Sequence, residues 1–275
     1  MPTAPSTAAL PGARLADVHA LARRYAAWQH SPELARERLL ADAWCAAFVQ
    51  HKRPGAPAVT TGTLDAVRDG MVPPATSAAV HGHAVAHRFF HWHLEFPEVT
   101  AAGGFTAMVG NPPWERIKLQ EQEFFAQRDP DVATAANAAA RKRMIRALTE
   151  SDPALAAEWA DASRAAEASS HYLRKSGRYP LCGVGDVNTY AVFAELFRSS
   201  IAHDGRMGII TPTGLATDAT TSAFFADTVA TKRLAAFYDF ENEAKILPGV
   251  HNQFRFAATT MTGGQQAREA RLAFY

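Results

Sequence analysis

Gly103-Gly104-Phe105-Thr106-Ala107-Met108-Val109-Gly110-Asn111-Pro112-Pro113-Trp114 is the stretch around which this chain is organised. Its apolar run reads as a short buried strand. Asn-Pro-Pro must then be an extended turn, because each proline fixes its own φ and pushes the residue before it out of the helical region. An aromatic residue follows at once. The stretch places a side-chain amide, two prolines and an aromatic ring at the C-terminal edge of a sheet, where open α/β sheets bind ligands. Asn-Pro is also a common loop opener. At average residue usage, a short polar residue, two prolines and an aromatic fall together by chance in about one chain in a hundred of this size. The preceding strand makes the coincidence rarer, so we take the stretch as a functional corner.

The chemistry such a corner offers is specific. An exocyclic amino group on a nucleobase is a poor nucleophile, because its lone pair is delocalised into the ring. Two acceptors aimed at its two hydrogens pull it toward tetrahedral geometry and stabilise the positive charge that develops on attack. The Asn111 side-chain oxygen and the Pro112 carbonyl are two such acceptors on a rigid turn. Trp114 offers a face for a base turned out of the helix, and base–aromatic stacking contributes about 1–3 kcal/mol. The scheme requires neither a general base nor a metal.

Phe-Thr-Ala-Met-Val-Gly-Asn-Pro-Pro-Trp resembles motif IV of the amino-group DNA methyltransferases, whose pattern is [Asn/Asp/Ser]-Pro-Pro-[Tyr/Phe/Trp]. His91-Trp92-His93-Leu94-Glu95-Phe96-Pro97-Glu98-Val99 before it, and Glu115-Arg116-Ile117-Lys118 after it, are similar to the large adenine-modifying methylases of restriction–modification and phage-defence systems. The likeness runs from about Ala41 to the end of the chain. Thr106 stands where the family often has Asp. The resemblance implies methyl transfer from S-adenosyl-L-methionine to the amino group of adenine in double-stranded DNA, after base flipping. Adenine rather than cytosine rests on the branch resemblance alone. Asn111, Pro112, Pro113 and Trp114 are the implied catalytic residues. An aromatic near the start of a later strand helps hold the base in the family, which points to Phe254 or Phe256 beside Trp114.

The chain has 275 residues, a formal charge of +1 and 48% hydrophobic residues, which suits one or two globular domains. No apolar run reaches membrane-spanning length, and the N-terminus lacks a signal peptide's layout. Two cysteines, Cys45 and Cys182, make no disulfide framework, which fits a reduced, cytoplasmic setting. The near-zero charge requires any basic DNA surface to be local.

Working outward, residues 1–13 read as disordered and 14–100 as a mainly helical segment, with helices over Leu15–Gln29 and from Ser31-Pro32-Glu33 to Val49. A short helix is expected over Thr63–Gly70 and another over 84–92, with Phe89, Phe90 and Trp92 as core. His81, His83, His87, His91 and His93 cluster there, and His87 and His91 have zinc-pair spacing on a helix. No acidic or cysteine partner has ligand spacing, so no metal is expected. Residues 115–127 look helical. A helical insertion over about 130–176 carries Arg141, Lys142, Arg143 and Arg146, either a solvated face or a surface for DNA phosphates. Gly183-x-Gly185 lacks the third glycine and preceding strand of a dinucleotide fingerprint. A helix from about Tyr190, ending at Asp204-Gly205, then leads to a strand over Met207–Thr211 and a turn at Pro212-Thr213-Gly214. This unit resembles the family's Tyr-x-x-Phe-x-Glu helix and its Gly-Arg-x-Gly-x-Ile-x-Pro strand. A helix over Thr221–Lys232 and strands over Leu234–Phe240 and Phe254–Met261 complete the pattern.

The expected fold is α/β. Residues 101–275 form part of a class I, Rossmann-like methyltransferase sheet of four mostly parallel strands. The family's cofactor motif, similar to Asp-Pro-x-x-Gly-x-Gly, is absent before Phe105. The sequence thus reads as the catalytic half of the fold, a fragment or split gene product whose S-adenosyl-L-methionine half lies in a second chain or upstream segment. Two other readings fit: a non-catalytic DNA-binding or interaction subunit, and an enzyme methylating amino or amide groups of RNA or protein.

Overall fold

The computed structural model describes residues 14–264 and 269–275, and the expected disorder over 1–13 lies outside them. Six helices precede the first strand: α1 (Leu15–Gln29), α2 (Pro32–Val49), α3 (Thr61–Arg68), α4 (Pro74–His87), α5 (Trp92–Glu95) and α6 (Pro97–Ala101). α2 starts as its sequence dictates, with Pro32 in the first turn and the Ser31 hydroxyl accepting from the Leu34 N–H at 3.2 Å. Ala43, Ala46, Val59 and Val80 form the buried centre of this region. The helix expected over 84–92 is not continuous. α4 ends at His87, and Arg88 closes it in the left-handed conformation at φ 53°. His87 and His91 therefore do not share a helix face. Phe90 is exposed rather than core.

The chain then forms β1 (Phe105–Gly110), α7 (Glu121–Phe125), α8 (Pro130–Ala133), α9 (Ala138–Ser151), α10 (Pro153–Lys175), α11 (Thr189–Ser200) and β2 (Ile201–Pro212). It continues through α12 (Gly214–Thr217), α13 (Ser222–Ala230), β3 (Leu234–Glu241), β4 (Arg255–Thr262) and β5 (Arg271–Phe274). The five strands make one sheet in the order β1-β2-β4-β3-β5. β3 and β5 are parallel, Ala236 facing Arg271. β2 and β4 run antiparallel: the Thr213 N–H donates to Arg255 at one end, and the Gly263 N–H to Gly205 at the other. The fold is α/β as expected, but the sheet is mixed and has five strands rather than four mostly parallel ones. β2 also begins at Ile201, so α11 ends four residues short of the expected Asp204.

Two units divide the described residues. One contains those through Met108, with Arg198–Met207 and residues 261–264; the other contains Val109–Phe197, Gly208–Thr260 and residues 269–275. In the first, the His-Trp-His-Leu-Glu-Phe-Pro segment is tied down by Arg38–Glu95 and by His91 Nε2, 2.8 Å from Asp42 Oδ1. The Trp92 and Phe96 rings meet Phe105 edge-on at 5.6 and 5.3 Å. In the second, α7 to α10 carry a core of their own, with Phe124, Phe125, Val132 and Leu148 buried and Trp159 packed against them.

Candidate functional site

The corner at the end of β1 is built by close approach. A Cβ on Gly104, at φ 127°, would stand 2.6 Å from the Ser200 carbonyl oxygen and 2.7 Å from the Ala202 nitrogen. Only glycine allows both that conformation and that proximity. At the other end an added Cβ on Gly110 would lie 3.2 Å from the Phe197 ring, a tight contact but with a side chain and without a positive φ.

Asn111 emerges from the strand exposed, Pro112 is buried, Pro113 is exposed and Trp114 is half-buried. The turn is pinned from α11, whose Thr189 hydroxyl donates to the Pro113 carbonyl at 2.6 Å. The Glu115 N–H donates back to that hydroxyl at 3.0 Å, and the Thr189 N–H donates to the Glu115 carbonyl at 2.9 Å. Arg116 and Asn188 form an antiparallel bridge, and the Ile117 N–H reaches the Val187 carbonyl. The expected helix over 115–127 is therefore confined to α7. The residues just past the motif are extended, with Arg116 and Lys118 exposed and Ile117 and Leu119 half-buried.

Among the described residues, no protein donor is bonded to the Asn111 amide oxygen or to the Pro112 carbonyl. The residues that carry them line an open cleft of about 490 Å³, to which Asn111–Trp114 and Leu247–Val250 both contribute. That volume falls within the roughly 300–1,000 Å³ typical of small-molecule sites. The Trp114 indole Nε1 is buried without a hydrogen-bond partner, an unusual state for a buried donor.

The sequence did not reveal the second lining segment, Leu247–Val250. Asn242, 0% exposed, lies just beyond β3. Its amide nitrogen donates to the Leu247 and Val250 carbonyls at 3.0 and 2.9 Å, and its Oδ1 accepts from the Leu247 N–H at 2.9 Å. The only local signal is an Asn directly after a strand, a type that hydrogen-bonds its own loop backbone.

The remaining predicted site residues divide. Phe256 is 5% exposed, with its ring stacked on Phe240 at 5.4 Å, and it does not line the cleft. Its place in the strand alternation turns it into the core. Phe254 is 55% exposed at the end of the loop and is not among the residues that line the cleft either. Arg141 is engaged, its Nε 2.9 Å from Glu121 Oε2 with little of the side chain exposed. It is an internal tie between α9 and α7 rather than a surface cation. Lys142, Arg143 and Arg146 are exposed on the opposite side of α9 from Met144, Ile145 and Leu148.

The buried Glu195 carboxylate of α11 accepts from the Leu181 and Cys182 N–H groups at 3.1 and 2.8 Å, fixing the loop that leads to Asn188. Tyr190, on the same helix, donates to Asp218 at 3.1 Å. Burial first, and the Asp218 carboxylate second, hold its pKa well above that of an ordinary phenol.

No protein-family model, curated protein or solved structure matches the chain. Within the described residues, no group of three or more His, Cys, Asp or Glu is placed to hold a metal ion, and no helix is long and apolar enough to cross a membrane. The fit to S-adenosylmethionine is equally plain. Every described element before β1 is a helix, and Gly183-x-Gly185 follows α10 rather than a strand. The described residues do not fit that cofactor, because among them no strand before β1 hands a glycine-rich turn to its carboxypropyl and ribose ends.

Proposed function

We propose that this chain is the target-base half of a DNA methyltransferase acting on the exocyclic amino group of adenine, within a restriction–modification or phage-defence system. The observation that carries the reading is the corner itself: two acceptors with no protein donor among the described residues, Asn111 Oδ1 and the Pro112 carbonyl, at a strand end beside an indole, on residues that line an open cleft. The two acceptors take the two amino hydrogens and Trp114 takes the ring face. Lys142, Arg143 and Arg146 meet backbone phosphates. S-adenosyl-L-methionine, the methyl donor the resemblance implies, is held by a second chain or another segment, since these residues do not fit it.

The test is made in cells lacking other adenine methylation, carrying the gene with its flanking genes. Digested DNA, RNA and protein are examined by mass spectrometry. N6-methyladenine in DNA, lost with Asn111→Ala, supports the reading. Methyl groups found instead on ribosomal RNA or on glutamine move the substrate to those polymers. No Asn111-dependent methylation anywhere defeats the enzyme reading.

A further inference from the structure

We propose that Asn242 is a positioning residue for the target base. It sets the Leu247-Pro248-Gly249-Val250 turn as a fixed apolar wall opposite Trp114, so that an extruded purine is gripped on both faces. The inference rests on the reading of the Asn-Pro-Pro-Trp corner as a base site and adds the second half of the grip.

Three observations carry it. The cleft is lined by two segments, the motif itself and this turn. The turn belongs to no helix or strand, so its shape depends on side-chain hydrogen bonds. Asn242 supplies those bonds: three from its fully buried amide, while its own N–H donates to the Phe254 carbonyl and its carbonyl accepts from Lys245. A buried amide with donors and acceptor all engaged gives a loop one geometry instead of many. A wall fixed before the base arrives loses less ordering entropy on binding. The turn offers a base only apolar surface and backbone, which suits a flat ring face. Amino-group recognition stays with Asn111 and Pro112.

The experiment uses the full chain and a single-stranded thymidine oligonucleotide carrying one 2-aminopurine, a fluorescent adenine analogue already free of a duplex. Emission reports the seated base, and anisotropy of an end label reports total oligonucleotide binding. The expected result has three parts. The wild-type chain shifts the emission. Trp114→Ala abolishes the shift. Asn242→Ala moves the emission midpoint five- to tenfold to higher protein concentration, with the anisotropy midpoint unchanged and faster amide exchange at Leu247. Should Asn242→Ala fold poorly, the double variant Leu247→Ala/Val250→Ala trims the same wall and leaves Asn242 in place; the same split is expected. Unchanged emission in these variants, with Trp114→Ala still silent, overturns the proposal and leaves the base site standing. An unshifted emission in the wild type overturns both.

Discussion

At the scale of single residues, the structure turns on a few groups that hold backbone rather than reach for ligand. Glu195 is one: replacing it by Ala leaves the Leu181 and Cys182 N–H groups without their acceptor and costs roughly 2–4 kcal/mol. Glu195→Gln keeps an oxygen and costs less, and thermal denaturation separates the two. Gly104→Ala meets backbone on the Ser200 side and carries the penalty of a positive φ, so it destabilises by about 2 kcal/mol or more. Tyr190 gives a pH dependence with a definite sign. Its folded pKa is raised, so its stabilising contribution is complete below the ordinary phenol pKa of about 10 and is lost as pH rises from there toward the folded value. Tyr190→Phe should make the alkaline loss of stability shallower, as read by denaturant midpoints on either side of that pKa. A midpoint difference that does not change with pH would contradict this. None of these roles is visible in a residue name: Glu195 and Tyr190 stand on a helix whose sequence reports only its apolar stripe.

At the scale of elements, α9 shows how a local pattern can be right about a face and wrong about one of its members. The run Arg141, Lys142, Arg143, Arg146 reads as one basic surface. In three dimensions Arg141 is turned toward α7 and held by Glu121, while the other three stay exposed. Lys142→Gln/Arg143→Gln/Arg146→Gln should therefore weaken non-specific DNA binding and lower the slope of log affinity against log salt by up to about 2.7, near 0.9 per phosphate contact. Arg141→Gln should leave that slope unchanged and loosen the insertion instead. Fluorescence anisotropy over a salt series checks both. The segment over 115–119 teaches the reverse lesson. Its alternation and charges suited a helix, but hydrogen bonds to Val187 and Thr189 hold it extended. Those partners lie 70 and 74 residues away, beyond the reach of any periodicity.

At the scale of the whole chain, the sheet holds the motif strand β1 at one edge and the late strand β5 at the other. Titration of the full chain with S-adenosylmethionine in a calorimeter should give no saturable heat at millimolar ligand. Micromolar binding would show that residues here do hold the cofactor and would overturn the two-part reading. The Asn-Pro-Pro-Trp corner, α2, the α9–α10 pair, β3 and β4 were legible in the residues, because proline geometry, capping and apolar periodicity act over a few positions. The strand before the corner was legible as a strand, but not as the buried one expected: β1 is an edge strand in which Met108 is buried and Val109 is 85% exposed. The mixed direction of the sheet, the short β5, the early start of β2 and the wall held by Asn242 were not legible. Strand pairing and a buried amide's partners are chosen by packing between distant segments, whose energies no single stretch contains. The chain's own letters settle that a rigid acceptor-bearing turn follows a strand. Folding settles which residues of that turn stay exposed, and which loop shares its cleft.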